Sequence, residues 1–412
     1  MTVGLFINQI AIDDFDDFLT SNPGIGGTEY MTLALAISLS LTNKYDVVLY
    51  TREYSNSPRG VSVKKVNDVV ESLLDFDSVY GGIFILCPRG PRDASFAALN
   101  QTRIIIWNHC ELKKKVLDTL YRRSEIRASV ALSEGQMSRI STSRIRKITT
   151  IIGHFISTND QALKNKKDHH EVCYIGSIYP FKHLDLLTRA WPSIVKKIPD
   201  ARLYVIGTSK VYNENANVGN MQIADSEYEK EIIYPLKKHN VLDSVVFLGK
   251  LNNNEINKTL NECSVGVVNP VGTGETFCIS ALNFAANAIP VVGGNYGGLR
   301  TTIPSDCGYR VSSKRKLSKR IIRLLENEQE REKKGFTYYK FVQSSYNLKN
   351  FTNKWERLID SVFENPRIKQ KNKISVFLLL KYKIKYFWDS INLLKNKISH
   401  RWYRIKNNNY EI

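Results

Sequence analysis

Short apolar runs alternate with amphipathic stretches along most of this chain, and that alternation limits the folds it can adopt. In the first half the apolar runs are residues 3–8, 46–50, 82–86, 103–107, 130–132 and 149–152. Buried parallel strands have this continuous apolar character, whereas the stretches between them, such as residues 28–41, have apolar side chains at helical spacing. The pattern predicts a doubly wound α/β domain.

The same pattern starts again after a polar segment, residues 157–170, that has the composition of a linker. The apolar runs of the second half are residues 172–176, 202–207, 245–248, 265–269 and 290–293. We therefore expect two α/β domains, residues 1–157 and 171–335. A helical segment, residues 336–363, and a basic tail, residues 366–412, follow them.

The cysteines and the apolar segments indicate the compartment. The six cysteines are scattered without a CxxC pair, which is typical of free thiols in a reducing compartment. The first residues, MTVGLFINQIAIDD, lack the basic start of a signal peptide, and no run approaches the roughly 18 apolar residues of a membrane-spanning helix. We expect a cytoplasmic protein.

The net charge of +19 is concentrated at one end of the chain. Residues 367–412 contain twelve Lys and Arg residues but two acidic ones, so they carry ten of the nineteen charges. The remainder is mildly basic, as suits a protein that handles phosphorylated ligands. Nucleic-acid binding is the competing interpretation, but no nucleic-acid-binding module is recognisable, so we expect no nucleic-acid partner.

Ligands of open α/β sheets bind beyond the carboxyl ends of the strands, so the loops after the strands are the segments to inspect. Four are unusual: GIGGTE at residues 24–29, GSIYPFKH at 176–183, VGTGETF at 271–277 and IPVVGGNYGG at 289–298. Glycines next to a helix start suit the binding of a phosphate. Taken singly, each loop is equally explained as a glycine-rich turn. The opening strand is not followed by GxGxxG, which argues against a dehydrogenase.

The order of these motifs carries more information than any one of them. GGTE near the start, GSIYPFKHLDLLTRAW after mid-chain, VVFLGKL, and then GTGETFCISALNFAANAIPVVGGNYGG resemble the retaining glycosyltransferases of family 4, in particular the bacterial surface-polysaccharide type. The resemblance covers residues 3–360. It implies the GT-B fold, in which two Rossmann-like doubly wound parallel-sheet domains face a cleft, and a final helix that crosses back onto the first domain.

The resemblance also implies roles for individual residues. Gly26 and Gly27 correspond to a glycine-rich loop that lies against the donor diphosphate and sugar. His109 corresponds to a histidine that points at the transferred sugar, and Lys182 to a cation that binds the diphosphate. Glu275 corresponds to a glutamate that contacts the transferred sugar. His109, Glu275 and Lys182 are thus the expected catalytic residues.

Further donor-binding positions follow from the same resemblance. Phe247 and Leu248 correspond to the segment that lines the nucleotide base. Gly274, Thr276 and Phe277 belong to the loop whose amides hold phosphate. The implied substrate is a nucleoside diphosphate sugar, with no separate cofactor. No DxD-type carboxylate pair follows a strand suitably, so we expect no metal.

Two positions depart from the family pattern. Ser177 occupies the place of an arginine that, with the cation at position 182, contacts the diphosphate. Asn283 occupies the place of a second glutamate that binds the ribose hydroxyls, and a neutral amide binds them less strongly. These departures leave two possibilities: a sugar transferase that modifies a lipid-linked or glycan acceptor in polysaccharide or lipopolysaccharide synthesis, or a non-catalytic partner or scaffold protein with the same fold.

The tail has the pattern of a membrane-surface helix. Apolar residues recur at intervals of three, four or seven and are flanked by lysines, at Ile374, Phe377, Ile384, Phe387, Ile391, Leu394, Ile398, Trp402 and Ile405. A basic amphipathic helix of this kind binds anionic lipid surfaces, which would place the protein at the inner face of the plasma membrane. The alternative is a helix that packs on the protein's own body or on a second subunit.

We predict that deletion of residues 367–412 abolishes sedimentation with liposomes that contain anionic lipid, because the tail supplies both the apolar stripe and the cations. Co-sedimentation of the full chain and of the truncated chain measures this. Equal binding by the two proteins, or no binding by the full chain, would show that the tail is not the anchor.

Overall fold

The computed structural model describes residues 1–10, 12, 14–163, 170–211, 217–271 and 274–364. Two all-parallel sheets account for its strands. The first sheet has the strand order β3-β2-β1-β4-β5-β6-β7. Its strands are β1 (Thr2–Ile10), β2 (Asp46–Tyr54), β3 (Val61–Lys65), β4 (Gly82–Leu86), β5 (Thr102–Asn108), β6 (Ile126–Ala131) and β7 (Thr149–Ile151).

The second sheet has the order β10-β9-β8-β11-β12-β13. Its strands are β8 (Glu171–Ile175), β9 (Arg202–Ile206), β10 (Val245–Gly249), β11 (Val265–Val268), β12 (Val291–Gly294) and β13 (Gly308–Val311). In both sheets the direction of strand addition reverses beside the first strand of the domain, between β1 and β4 and between β8 and β11.

Helices cover both sheets. They are α1 (Gly27–Ser40), α2 (Val69–Val79), α3 (Lys114–Arg122), α4 (Glu134–Arg139), α5 (Leu184–Val195), α6 (Ser226–Lys238), α7 (Asn253–Asn261), α8 (Ile279–Ala286), α9 (Leu299–Thr302), α10 (Lys314–Glu326), α11 (Glu328–Ser345) and α12 (Leu348–Glu364). The predicted fold class, two doubly wound parallel-sheet domains of the GT-B type, is confirmed.

Two strands were not predicted from the sequence, β3 and β13. Both lie at an edge of their sheet and have a single neighbouring strand. Ser62, Lys64 and Lys65 make β3 partly polar, because one side of an edge strand faces solvent. A search for continuous apolar runs finds the central strands and the apolar edge strands β7 and β10, but it misses edge strands that contain polar residues.

The last two helices connect the domains. Helix α11 packs on the second domain, where the hydroxyl of Tyr338 donates a 2.6 Å hydrogen bond to the carbonyl of Thr302. Helix α12 returns to the first domain, where the ring of Trp355 lies 4.8 Å from that of Trp107 between centroids. The chain therefore returns to the first domain through α12, and residues 336–363 are divided between α11 and α12.

The predicted basic tail, residues 366–412, lies outside the described residues, so its amphipathic character stays a prediction. Within the described part of the chain, no helix combines the length and the apolar character that crossing a bilayer requires.

We predict that Trp355→Ala lowers the free energy of unfolding by about 3–5 kcal/mol, because it leaves a cavity beside Trp107 where a fully buried ring had been. Urea denaturation measures this. The neighbouring exposed residue offers a control, since Lys354→Ala should change stability by no more than about 0.5 kcal/mol. Equal losses in both variants would contradict the packing role of α12.

Candidate functional site

The carboxyl edges of the two sheets face each other across a cleft, and residues of both domains line a cavity of about 180 Å³ there. The first domain contributes Gly24 and Tyr30 to its wall. The second contributes Ser177, Lys250 and Asn283. Since each wall comes from a different domain, the cavity's width depends on how the domains are held together.

Lys182 and Glu275 form a salt bridge beside this cleft. The Lys182 ammonium lies 2.6 Å from Oε1 of Glu275, and the two side chains are 22% and 8% exposed. Asn269, at the end of β11, donates from its amide to the same carboxylate oxygen at 3.2 Å. The partly buried pair interacts more strongly than a surface pair would, because less water screens it.

The local backbone explains how these two residues meet. Lys182 ends a 3₁₀ turn, Pro180–Lys182, that follows β8, and the hydroxyl of Tyr174 holds its carbonyl at 3.2 Å. His183 then adopts the left-handed conformation, with φ of 55°, and begins α5. Glu275 follows Gly274, whose φ of +76° is readily adopted by glycine. Both residues therefore sit in the turn between a strand and the next helix, at neighbouring strands β8 and β11.

Residues 274–277, which we call the Glu275 loop, are held against the first domain by Thr276 and Phe277. The hydroxyl of Thr276 donates to the carbonyl of His109 at 2.9 Å, and the hydroxyl of Ser133 donates to the carbonyl of Thr276 at 2.6 Å. The ring of Phe277 meets that of His154 edge to face at 5.1 Å. The side chains of Thr276 and Phe277 thus serve the contact between domains, whereas the resemblance implies a phosphate role for their backbone amides.

The fourth glycine-rich loop supports the Glu275 loop from the other side. The amide of Gly298 donates to the carbonyl of Glu275 at 2.7 Å. A Cβ atom at Gly298 would lie 2.5 Å from the backbone of Thr276 and Phe277, so this close approach requires glycine. The loop at residues 289–298 is therefore part of the site's support.

His109 lies between the Glu275 loop and the core of the first domain. Its ring stacks on that of His154 at 5.1 Å and 19°, and its Nε2 atom is buried without a hydrogen-bond partner in the described part of the chain. Burial, the charge of His154 and that of Arg89 hold the pKa of His109 well below its ordinary value. A neutral imidazole with a free nitrogen can donate to or accept from a sugar hydroxyl, depending on its tautomer.

His154 was missed in the sequence analysis. It lies directly beyond β7, a position like that of His109 beyond β5, and this placement at the carboxyl edge was the available signal. It is 3% exposed, and burial lowers its pKa to about 3. Asn269 and Ser133 were also missed, since neither belongs to a glycine-rich motif.

The structure divides the predicted residues into separate groups. Ser177 and Asn283 line the interdomain cavity, whereas Lys182 and Glu275 form their own buried pair. Phe247 and Leu248 are half-buried within β10, and the residues that follow them, Lys250 and Leu251, line the cavity instead.

Gly26 and Gly27 lie at the start of α1. Gly26 is the N-cap of the helix, so it leaves the first amides of α1 without a capping side chain. A Cβ atom at Gly27 would lie 3.0 Å from the side chain of Ile279 in the second domain. Gly27 therefore lies at the close approach of α1 and α8 across the cleft.

No group of three or more His, Cys, Asp or Glu side chains that could hold a metal ion occurs among the described residues.

Residues 155–339 match the family model of glycosyl transferases group 1, which places α8, Lys182 and Glu275 within the matched segment. No curated protein shows significant sequence similarity to the chain. The match and the fold together support a glycosyltransferase of the GT-B fold.

Solved structures share the fold at low sequence identity. Sucrose-phosphate synthase from Thermosynechococcus elongatus is 16% identical with a TM-score of 0.66, and the alignment covers 88% of this chain and 99% of that one. HepE of Anabaena, solved with UDP and glucose, is 12% identical with a TM-score of 0.65 over 88% and 100% of the chains. A TarM variant of S. aureus, solved with UDP among its ligands, is 19% identical with a TM-score of 0.54. Its alignment covers 68% of this chain and only 55% of TarM.

We predict that His154→Phe makes stability less dependent on pH. Histidine in the unfolded chain has a pKa near 6.5, whereas the buried ring of His154 has a pKa of about 3. Between these two pH values the unfolded state therefore binds a proton that the folded state does not bind. The contribution of the neutral ring to the unfolding free energy is complete above pH 6.5. It is lost progressively as the pH falls from 6.5 to about 3.

Between pH 7 and pH 5 the variant should therefore lose about 2 kcal/mol less unfolding free energy than the wild type. Urea denaturation at both pH values measures the difference. His239 is exposed, so His239→Phe should keep the wild-type slope. The same slope in His154→Phe would contradict the burial argument.

Proposed function

We propose that the protein is a retaining glycosyltransferase that moves a sugar from a nucleoside diphosphate sugar to a hydroxyl acceptor. The observation that carries the proposal is the Lys182–Glu275 salt bridge, which lies beside the cleft and inside the segment that matches glycosyl transferases group 1. A cation and a carboxylate at the same strand ends suit the two halves of the donor, an anionic diphosphate and a polyhydroxylated sugar.

Donor binding exchanges the partners of this pair. The diphosphate offers Lys182 a doubly charged partner, and the sugar hydroxyls offer Glu275 hydrogen-bond donors. Because the two side chains already lie 2.6 Å apart, the groups that they bind must be adjacent, as the diphosphate and the anomeric sugar are. Each side chain of the pair neutralises the charge of the other in this structure.

The reaction breaks the bond between the anomeric carbon and the diphosphate oxygen and forms a bond from the acceptor oxygen to the same face of that carbon. The acceptor's proton leaves with the diphosphate. Lys182 and the amides after Gly274 stabilise the departing negative charge, while Glu275 and the neutral His109 orient the sugar. None of these steps requires a metal ion, so we propose a metal-independent reaction.

The proposed cellular role is polysaccharide or lipopolysaccharide synthesis. The acceptor is then a glycan or a lipid-linked glycan, and the protein works in the cytoplasm at the inner face of the membrane. The basic segment at residues 367–412 supports this location, since a lipid-linked acceptor is presented at a membrane surface.

A non-catalytic partner or scaffold protein is the second candidate, and Ser177 and Asn283 favour it. Both line the cavity and neither carries the charge that the family pattern has there. A thermal-shift screen against a panel of nucleoside diphosphate sugars distinguishes the two, because a ligand that binds only the native state raises the melting temperature. UDP-sugars come first in the panel, since HepE and TarM were solved with UDP. A shift with one sugar nucleotide supports the transferase, and no shift with any supports the scaffold.

We predict that Glu275→Gln lowers kcat at least about tenfold, because a charge-assisted contact to the sugar becomes a neutral one. Lys182→Met should lower kcat as well, through weaker stabilisation of the leaving diphosphate. Donor hydrolysis or transfer to an acceptor provides the assay, and the melting temperature verifies that each variant folds.

Two exposed residues, one in the last turn of α7 and one directly after the helix, serve as matched controls for these changes. Lys258→Met and Glu262→Gln alter the same charges away from the cleft, so each should leave kcat near the wild-type value. Wild-type turnover in Glu275→Gln and Lys182→Met would refute the assignment of the pair.

We predict that Asn283→Glu tightens nucleotide binding by about fivefold, because a carboxylate accepts hydrogen bonds from ribose hydroxyls more strongly than an amide does. Calorimetric titration with the nucleotide selected by the screen measures the dissociation constant. Asn283→Gln has the same length without the charge and should bind no more tightly than the wild type. Weaker binding by the glutamate variant would show that residue 283 does not face the ribose.

A further inference from the structure

The first domain contains a second pocket, of about 140 Å³, at the carboxyl ends of β1, β2 and β4. We call it the first-domain pocket, and its polar wall includes Asn8, Thr28, Arg52, Arg89 and Arg92. It lies beside the point where the strand order reverses, between β1 and β4. Open α/β sheets bind ligands at such switch points.

The first turns of α1 separate this pocket from the interdomain cavity. Thr28 and Thr32 face the first-domain pocket, whereas Tyr30 lines the cavity between the domains. A molecule held in the pocket is therefore separated from the cleft by the first turns of α1.

The acidic side chains of the pocket are already engaged by the protein. Glu29 forms a 2.5 Å salt bridge with Arg89. Asp93 accepts a 2.7 Å hydrogen bond from the amide of Arg89. Asp68 caps α2 and accepts from the amide of Val70 at 2.8 Å. One oxygen of each of these three carboxylates is thus engaged in an internal contact.

The donors of the pocket are not engaged in the same way. Arg52 and Arg92 are exposed and form no salt bridge or side-chain hydrogen bond with any described residue. The half-buried side chains of Asn8 and Thr28 form no hydrogen bond with a described residue either. Two guanidinium groups without an internal partner favour a ligand that is rich in hydrogen-bond acceptors. The planar guanidinium group matches the oxygens of a phosphate or a carboxylate.

We propose that the first-domain pocket binds an anionic group, a phosphate or a carboxylate, that the acceptor carries. The anionic group is held by Arg52 and Arg92, and the acceptor hydroxyl extends past the start of α1 into the cleft. The acceptor's role rests on the proposed function, whereas the binding of an anion in the pocket does not.

The test uses inorganic phosphate and acetate as probes, with the full chain saturated by the nucleoside diphosphate that binds best, so that the diphosphate site is filled. Broadening of the phosphorus-31 NMR line reports phosphate binding, and methyl-proton broadening reports acetate binding. Arg52→Ala/Arg92→Ala removes the two free cations. Arg59→Ala/Arg144→Ala makes the same charge change at exposed positions outside the pocket.

The expected result is binding of at least one anion to the wild type and to the control, with affinity at least about tenfold lower in Arg52→Ala/Arg92→Ala. The anion with the lower Kd identifies the group that the acceptor carries. Equal affinity in the pocket variant, or no binding of either anion to the wild type, overturns the proposal.

Nucleotide binding separates this outcome from a failure of the proposed function. Arg52→Ala/Arg92→Ala should keep the wild-type thermal shift with the nucleotide sugar, because the donor groups lie in the second domain. If no nucleotide shifts any protein, the proposed function fails, and the anion titrations without nucleotide still decide whether the pocket binds an anion.

Discussion

The contact between the Glu275 loop and the first domain is the interaction on which the site depends. Thr276 links this loop to the first domain through two hydrogen bonds, one to the carbonyl of His109 and one from the hydroxyl of Ser133. Phe277 adds an aromatic contact with His154. The loop therefore belongs structurally to both domains, and it fixes the distance between the second domain's salt bridge and the first domain's histidine.

This arrangement places the salt bridge between Lys182 and Glu275 beside the first domain. Its two charges neutralise one another, and each has a complementary group in a nucleoside diphosphate sugar. The first-domain pocket lies on the other side of α1. Its Arg52 and Arg92 side chains have no partner among the described residues. Donor and acceptor would thus approach the cleft from opposite domains.

The sequence was sufficient for the fold because buried parallel strands are continuous apolar runs, as residues 82–86 and 265–269 are. It was insufficient for β3 and β13, where an edge position tolerates polar residues. The motifs in the sequence indicated Lys182 and Glu275 as candidates. The sequence could not show that they form a salt bridge, because 93 positions separate them along the chain. His154 and Ser133 belong to no motif, since their importance arises only when the second domain packs against them.

A crystal structure of the protein with a bound nucleoside diphosphate would test most directly the claim that Lys182 and Glu275 bind the donor. The account predicts that the diphosphate lies in the cleft between Ser177 and the amides after Gly274, within hydrogen-bond distance of Lys182, whose ammonium has left Glu275. A nucleotide bound outside the cleft, or one bound there while the 2.6 Å contact between Lys182 and Glu275 persists, would contradict it.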